Sequence, residues 1–179
     1  MAELPKLPFQ EGAEFPLGLV AFPPTWVVID NGHPSDAEVS KKIVSYLRTR
    51  FPPVLAVRRV VPTGEEPDPM DLMAHGVIVV GGPAANPFLD RYLARMDPTW
   101  ENRGTEAAPM WWIVKGEPIK YETNYHMSCL ITSCRGTFPW LRVYNVAGQS
   151  AYATVDAGDL FCAGETRGVW INKTKVADP

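Results

Sequence analysis

The chain has 179 residues, a formal net charge of −3 and a sequence pI near 5.6. That length fits one domain able to bury roughly 70% of the surface its unfolded form exposes, so no disulfide or metal staple is required. The acidic balance, with Arg58-Arg59 as the nearest thing to a basic stripe, argues against nucleic acid as a partner, and no apolar run is long enough to span a membrane.

The N-terminus lacks the apolar core of a signal peptide. Three cysteines, Cys129, Cys134 and Cys162, leave one thiol unpaired, which suits a reducing compartment. Both features predict a cytoplasmic protein, or an extracellular one if the chain is a processed fragment. A Cys129 to Cys134 bridge stays open.

Pro5, Pro8, Pro16, Pro23 and Pro24 remove donors and restrict the residues before them, so residues 1–24 read as an irregular arm ahead of a single α/β domain over 25–179. Thr25 to Asp30 is the first strand, ending in the turn Asn31-Gly32-His33-Pro34. A helix follows, with Ser35 and Glu38 spaced as a capping box and Val39, Ile43, Tyr46 and Leu47 on one face. Val54 to Val61 is the second strand, and its arginine pair places it near an edge.

Val77 to Val80 is a continuous β-branched run that stops at Gly81-Gly82-Pro83, the signature of a central strand buried on both faces. Asn86 suits an N-cap and Pro87 a first helical position, and Phe88, Leu89, Tyr92, Leu93 and Met96 recur at helical spacing, which predicts a helix over 86–96. Residues 97–109 read as a surface loop that contains Trp100. Strands are predicted at 110–115, 126–133 and 140–147. Ser150 caps a small-residue helix over 151–161, and Val169 to Lys173 is the last strand.

The resulting order, with strands alternating with helices and a small β insertion in the second half, predicts an α/β fold. In it a doubly wound, mostly parallel sheet carries helices on both faces. Ligands in such sheets bind outside the carboxyl ends of the strands, where the strand order reverses. Three glycine-bearing loops should gather there, each leading into a helix: Asp30 to His33, Gly81 to Asn86, and Gly148-Gln149-Ser150. Unpaired backbone N–H groups at helix starts, beside glycines, point to an anionic small molecule. The binding set is Asp30, Asn31, Gly81, Gly82, Pro83, Asn86, Gly148, Gln149 and Ser150.

The segments VIVVGGPAANPFLDRYL and LRVYNVAGQSAYATVDAGDLF resemble a Rossmann-like domain found at the C-terminus of archaeal S-layer-like proteins and in stand-alone bacterial relatives. The resemblance rests on Gly81, Gly82, Pro83, Asn86, Ala147, Gly148 and Thr154. It implies a fold and no settled activity.

Asp30 could hold a ribose hydroxyl or act as a base, against a role inside the Asn-Gly turn. Glu122 could stabilise the cationic sugar of N-glycosidic cleavage, against a solvated loop carboxylate. His126, Cys129 and Cys134 match no tetrahedral metal spacing, and no phosphate-loop, GxGxxG, GxSxG or HExxH motif is present, so neither a metal nor a cofactor is assigned. The leading expectation is a module that binds or senses a nucleotide-like or other anionic ligand. The alternatives are an assembly protein that forms a homo-oligomer through the arm and exposed tryptophans, and a nucleoside- or NAD-cleaving hydrolase.

Overall fold

A computed structural model describes residues 25–177 apart from 53, 117–119 and 139–140. The arm over 1–24 and Trp140 therefore lie outside the described residues. The chain order is β1 (Thr25–Asp30), α1 (Pro34–Arg50), β2 (Leu55–Val60), β3 (Gly76–Val80), α2 (Asp90–Leu93), β4 (Thr99–Asn102), β5 (Trp111–Lys115), β6 (Tyr121–Thr123), β7 (Ser128–Arg135), β8 (Arg142–Gly148), α3 (Ala151–Cys162), β9 (Gly168–Ile171) and β10 (Thr174–Ala177).

The expected doubly wound parallel sheet with helices on both faces is not what forms. A seven-stranded sheet runs β10-β9-β7-β8-β3-β1-β2, and a separate sheet runs β4-β5-β6. Among the described residues only β2, β1, β3 and β8 pair in parallel. β7 runs antiparallel to β8 and to β9, and β9 to β10. The reason lies in the connections. A parallel crossover needs a dozen or more residues, whereas β7 reaches β8 through a short turn in which Gly136 donates to Leu141 O, and β9 reaches β10 through Asn172-Lys173, both with positive φ.

The parallel half keeps the alternation expected of buried strands. Val28, Ile78, Val80, Tyr144 and Val146 face α1 and α3, meeting Val39, Ile43, Leu47, Ala153, Ala157 and Phe161. On the opposite face, Val27, Ile29, Val77, Val79 and Val143 meet Phe88, Leu89, Tyr92 and Met96. The rest of that face, Leu130, Ala147 and Val169, is covered by Trp100 and Ile113 of the smaller sheet. Helices therefore layer one face, and a short helix plus a β-sheet layer the other.

Three local expectations change as well. The helix expected over 86–96 is a 3₁₀ turn at Pro87–Leu89 followed by one α turn, because Arg95 and Met96 already bond three residues back and Pro98 disfavours helix at Asp97. Trp100, expected in a loop, is buried on β4. The Ser35–Glu38 capping box does not form: His33 occupies the N-cap, and Ser35 Oγ instead meets His33 Nδ1 and donates to Asp36.

Candidate functional site

The chain leaves β1 through α1 to β2 on one side and returns to β3 on the other, so the strand order reverses between β1 and β3. The loops that follow β1, β3 and β8 converge at this edge around a cleft of about 600 Å³. Asn31, Gly81, Gly82, Pro83, Gly148 and Gln149 line it, with Trp100, Trp111, Met110 and Asn124 closing the side nearer the smaller sheet.

The second loop depends on glycine. Gly81 has φ +96°, and a β-carbon placed there would stand 2.6 Å from Asp36 Oδ2. Its N–H donates to Val146 O at 3.1 Å, which fixes the loop across β8. Gly82 has no such demand, since a β-carbon there would meet Trp100 at an ordinary 3.5 Å. At the third loop the requirement is close approach: a β-carbon on Gly148 would overlap the backbone of Ala153 and Thr154. Ser150 caps α3 by accepting from Ala153 N at 3.2 Å, and its hydroxyl donates to His126 O at 2.7 Å. Gln149 Nε2 donates to Trp111 O at 2.9 Å, tying the loop to the smaller sheet.

Several predicted site residues sit elsewhere. Asp30 is fully buried and is not a wall of the cleft: Arg58 holds its carboxylate with Nε at 2.6 Å and Nη2 at 2.8 Å, and Gly32 N donates to it at 2.9 Å. A carboxylate so engaged is a structural tie between β1, β2 and the turn. Asn86 is buried behind the loop, donating to Val80 O at 2.9 Å. Glu122 lies on β6, outside the cleft, where Arg103 bonds it at 2.7 Å and lowers its pKa. The carboxylate expected for N-glycosidic cleavage is therefore not at the pocket.

The cysteines are all free. Burial pushes the Cys129 thiol up to about 12 and the Cys162 thiol to about 11, so neither is a ready nucleophile. Among the described residues no three His, Cys, Asp or Glu side chains gather as a metal site, and Cys129 and Cys134 belong to different cores.

Asp36 is the lining residue that reading the sequence missed. An acid in the first turn of a helix reads as a complement to the helix dipole, which gives no sign that it faces a cavity. Its side chain is 6% exposed, and burial raises its pKa against the opposing effects of the Ser35 hydroxyl and His33. Trp100 was missed because it is the only large apolar residue in its strand and creates no periodicity. Ser35 Oγ lies 2.8 Å from His33 Nδ1, yet that hydroxyl is shared with Asp36, and no third group among the described residues orients the imidazole. The arrangement is suited to holding a molecule.

No protein-family model matches this chain, and no match is found among curated proteins or solved structures.

Proposed function

We propose that this protein is a small-molecule binding or sensing module whose ligand occupies the cleft at the carboxyl ends of β1, β3 and β8. One observation carries the reading. Three loops far apart in the sequence, two of them shaped by glycines that tolerate no side chain, meet around one cavity at the reversal of strand order. The wall combines tryptophan surface with amide, hydroxyl and carboxyl groups, a composition suited to a compact ring with polar edges.

An assembly role draws less support. Trp26, Trp100 and Trp170 are buried, which removes them from any docking surface, and Trp111 and Trp112 are only half exposed.

The test is a thermal-shift screen of the full chain against nucleosides, nucleotides, NAD, sugars, sugar phosphates and divalent metals, run beside Gly82→Leu. A ligand at 100 times its Kd adds about 2.7 kcal/mol, which raises the midpoint of a domain this size by roughly 5 to 10 °C. The expected result is a shift in the wild type that Gly82→Leu removes. A shift that survives the substitution would put the site elsewhere.

A further inference from the structure

The charge and hydrogen-bond capacity of the cleft bear on what it can hold. Among the described residues neither lysine nor arginine lines it, and the one carboxyl group that does, Asp36 on the first turn of α1, is 6% exposed. Asp36 Oδ1 takes the Ser35 hydroxyl at 3.3 Å, while Oδ2, which lies against Gly81, has no hydrogen-bond partner among the described residues. A carboxyl oxygen without a protein partner at a cavity wall is a ready acceptor for a donor on a molecule in the cleft.

Some backbone donors around the cleft are committed, while the N–H groups of Gly82, Ala84 and Ala151 have no partner among the described residues. Gly81 N bonds Val146 O at 3.1 Å, Ala85 N and Asn86 N bond Gly82 O at 3.0 Å, and Gly148 N bonds Thr154 Oγ1 at 3.1 Å. At α3, Ala153 N is taken by Ser150 Oγ at 3.2 Å. The positive end of α1 has Pro34 in its first turn, which brings no donor, and its own Asp36 stands where an external anion would sit. An incoming phosphate would meet the Asp36 carboxylate with neither lysine nor arginine among the described lining residues to balance it.

Acceptors are free there as well. Besides Asp36 Oδ2, Gln149 keeps Oε1 as an acceptor because its Nε2 is spent on Trp111 O. Trp100, Trp111 and Met110 supply apolar surface beside these acceptors. We infer that the cleft takes a neutral ring bearing a vicinal diol, as in a sugar or a nucleoside, with Asp36 accepting its hydroxyl protons. This rests on the small-molecule reading above and narrows it away from phosphate-bearing ligands.

Isothermal titration of the full chain with adenosine, ribose, AMP and inorganic phosphate tests the assignment, using the wild type, Asp36→Asn and Gly82→Leu, each checked for folding by circular dichroism. Adenosine or ribose is expected to bind, with AMP no tighter than adenosine and no binding of inorganic phosphate. Adenosine tighter than ribose identifies a nucleoside as the source of the diol, and equal binding identifies the sugar alone. Asp36→Asn should weaken the diol ligand by about tenfold, the typical effect of losing a hydrogen bond to a charged acceptor. AMP or phosphate binding more tightly than adenosine, or unchanged affinity in Asp36→Asn, overturns the diol assignment and leaves the cleft reading standing. Diol binding that Gly82→Leu does not weaken, or no binding of any of the four probes, overturns both.

Discussion

Trp100 Nε1 donates to Asn145 Oδ1 at 2.8 Å, joining the smaller sheet to the centre of the larger one. The Asn145 amide nitrogen donates in turn to Val79 O at 3.0 Å and Gly81 O at 2.9 Å, and the residue has no exposed surface. One side chain thus holds the end of β3, the glycine loop and a wall of the cleft together.

Asn145→Ala should therefore be among the most destabilising single changes in the sheet. It strands a buried indole N–H and opens a cavity, for a loss of about 2 to 4 kcal/mol. Urea unfolding measures it. A loss below about 0.5 kcal/mol, the range of an ordinary surface change, would show that the network is not holding the loop.

The two adjacent glycines should differ sharply. Gly81→Ala forces a side chain into the left-handed region and against Asp36 Oδ2, at about 1 to 3 kcal/mol. Gly82→Ala meets only ordinary contact with Trp100 and should stay within about 0.5 kcal/mol of the wild type. Equal midpoints for the two variants would contradict the loop geometry.

Asp36 should give stability a characteristic slope with pH. Its folded-state pKa is raised from 3.8 by burial, so the native protein holds a proton that the unfolded chain has released. The native state thus binds more protons over the window from 3.8 up to the raised value, and stability falls as pH rises through it. Asp36→Asn should remove that fall, so the variant gains on the wild type as pH increases across the window. Parallel stability curves for the two proteins would contradict the assignment.

Lys115 is a buried cation with poor compensation. Its side chain is 1% exposed, its ammonium has no hydrogen-bond partner among the described residues, and Asp97 Oδ2 is 3.9 Å away. Replacing a weakly paired buried ion with an apolar residue of similar volume commonly gains about 1 to 4 kcal/mol. Lys115→Met should accordingly raise the thermal midpoint, and a lower midpoint would mean that the ion pair contributes more than its desolvation removes.

Much of the parallel half was legible from residues alone. Val77 to Val80 announced a doubly buried strand, and the carboxyl-end rule placed Asn31, Gly81, Gly82, Pro83, Gly148 and Gln149 at one edge, where the cleft lies. What failed was strand direction beyond β8. Alternating helices and strands suggested a mostly parallel sheet, although the short links from β7 to β8 and from β9 to β10 permit only hairpins. Phe88, Leu89, Tyr92 and Met96 are apolar at helical spacing because they cover the sheet, and that requirement is met by 3₁₀ and single turns as well. Asp30 and Asp36 show the limit for the site: both acids flank the same turn, and only the position of Arg58 on the neighbouring strand decides which one is tied up and which faces the cavity.

The most direct test of the cleft as a ligand site is an amide NMR titration of the full chain with adenosine. Shift changes should concentrate at Asn31, Gly81, Gly82, Ala84 and Gln149, together with the indole signals of Trp100 and Trp111. Changes confined to Arg103, Lys120 and Glu122 on the smaller sheet, or no changes with adenosine or ribose at any residue, would contradict it.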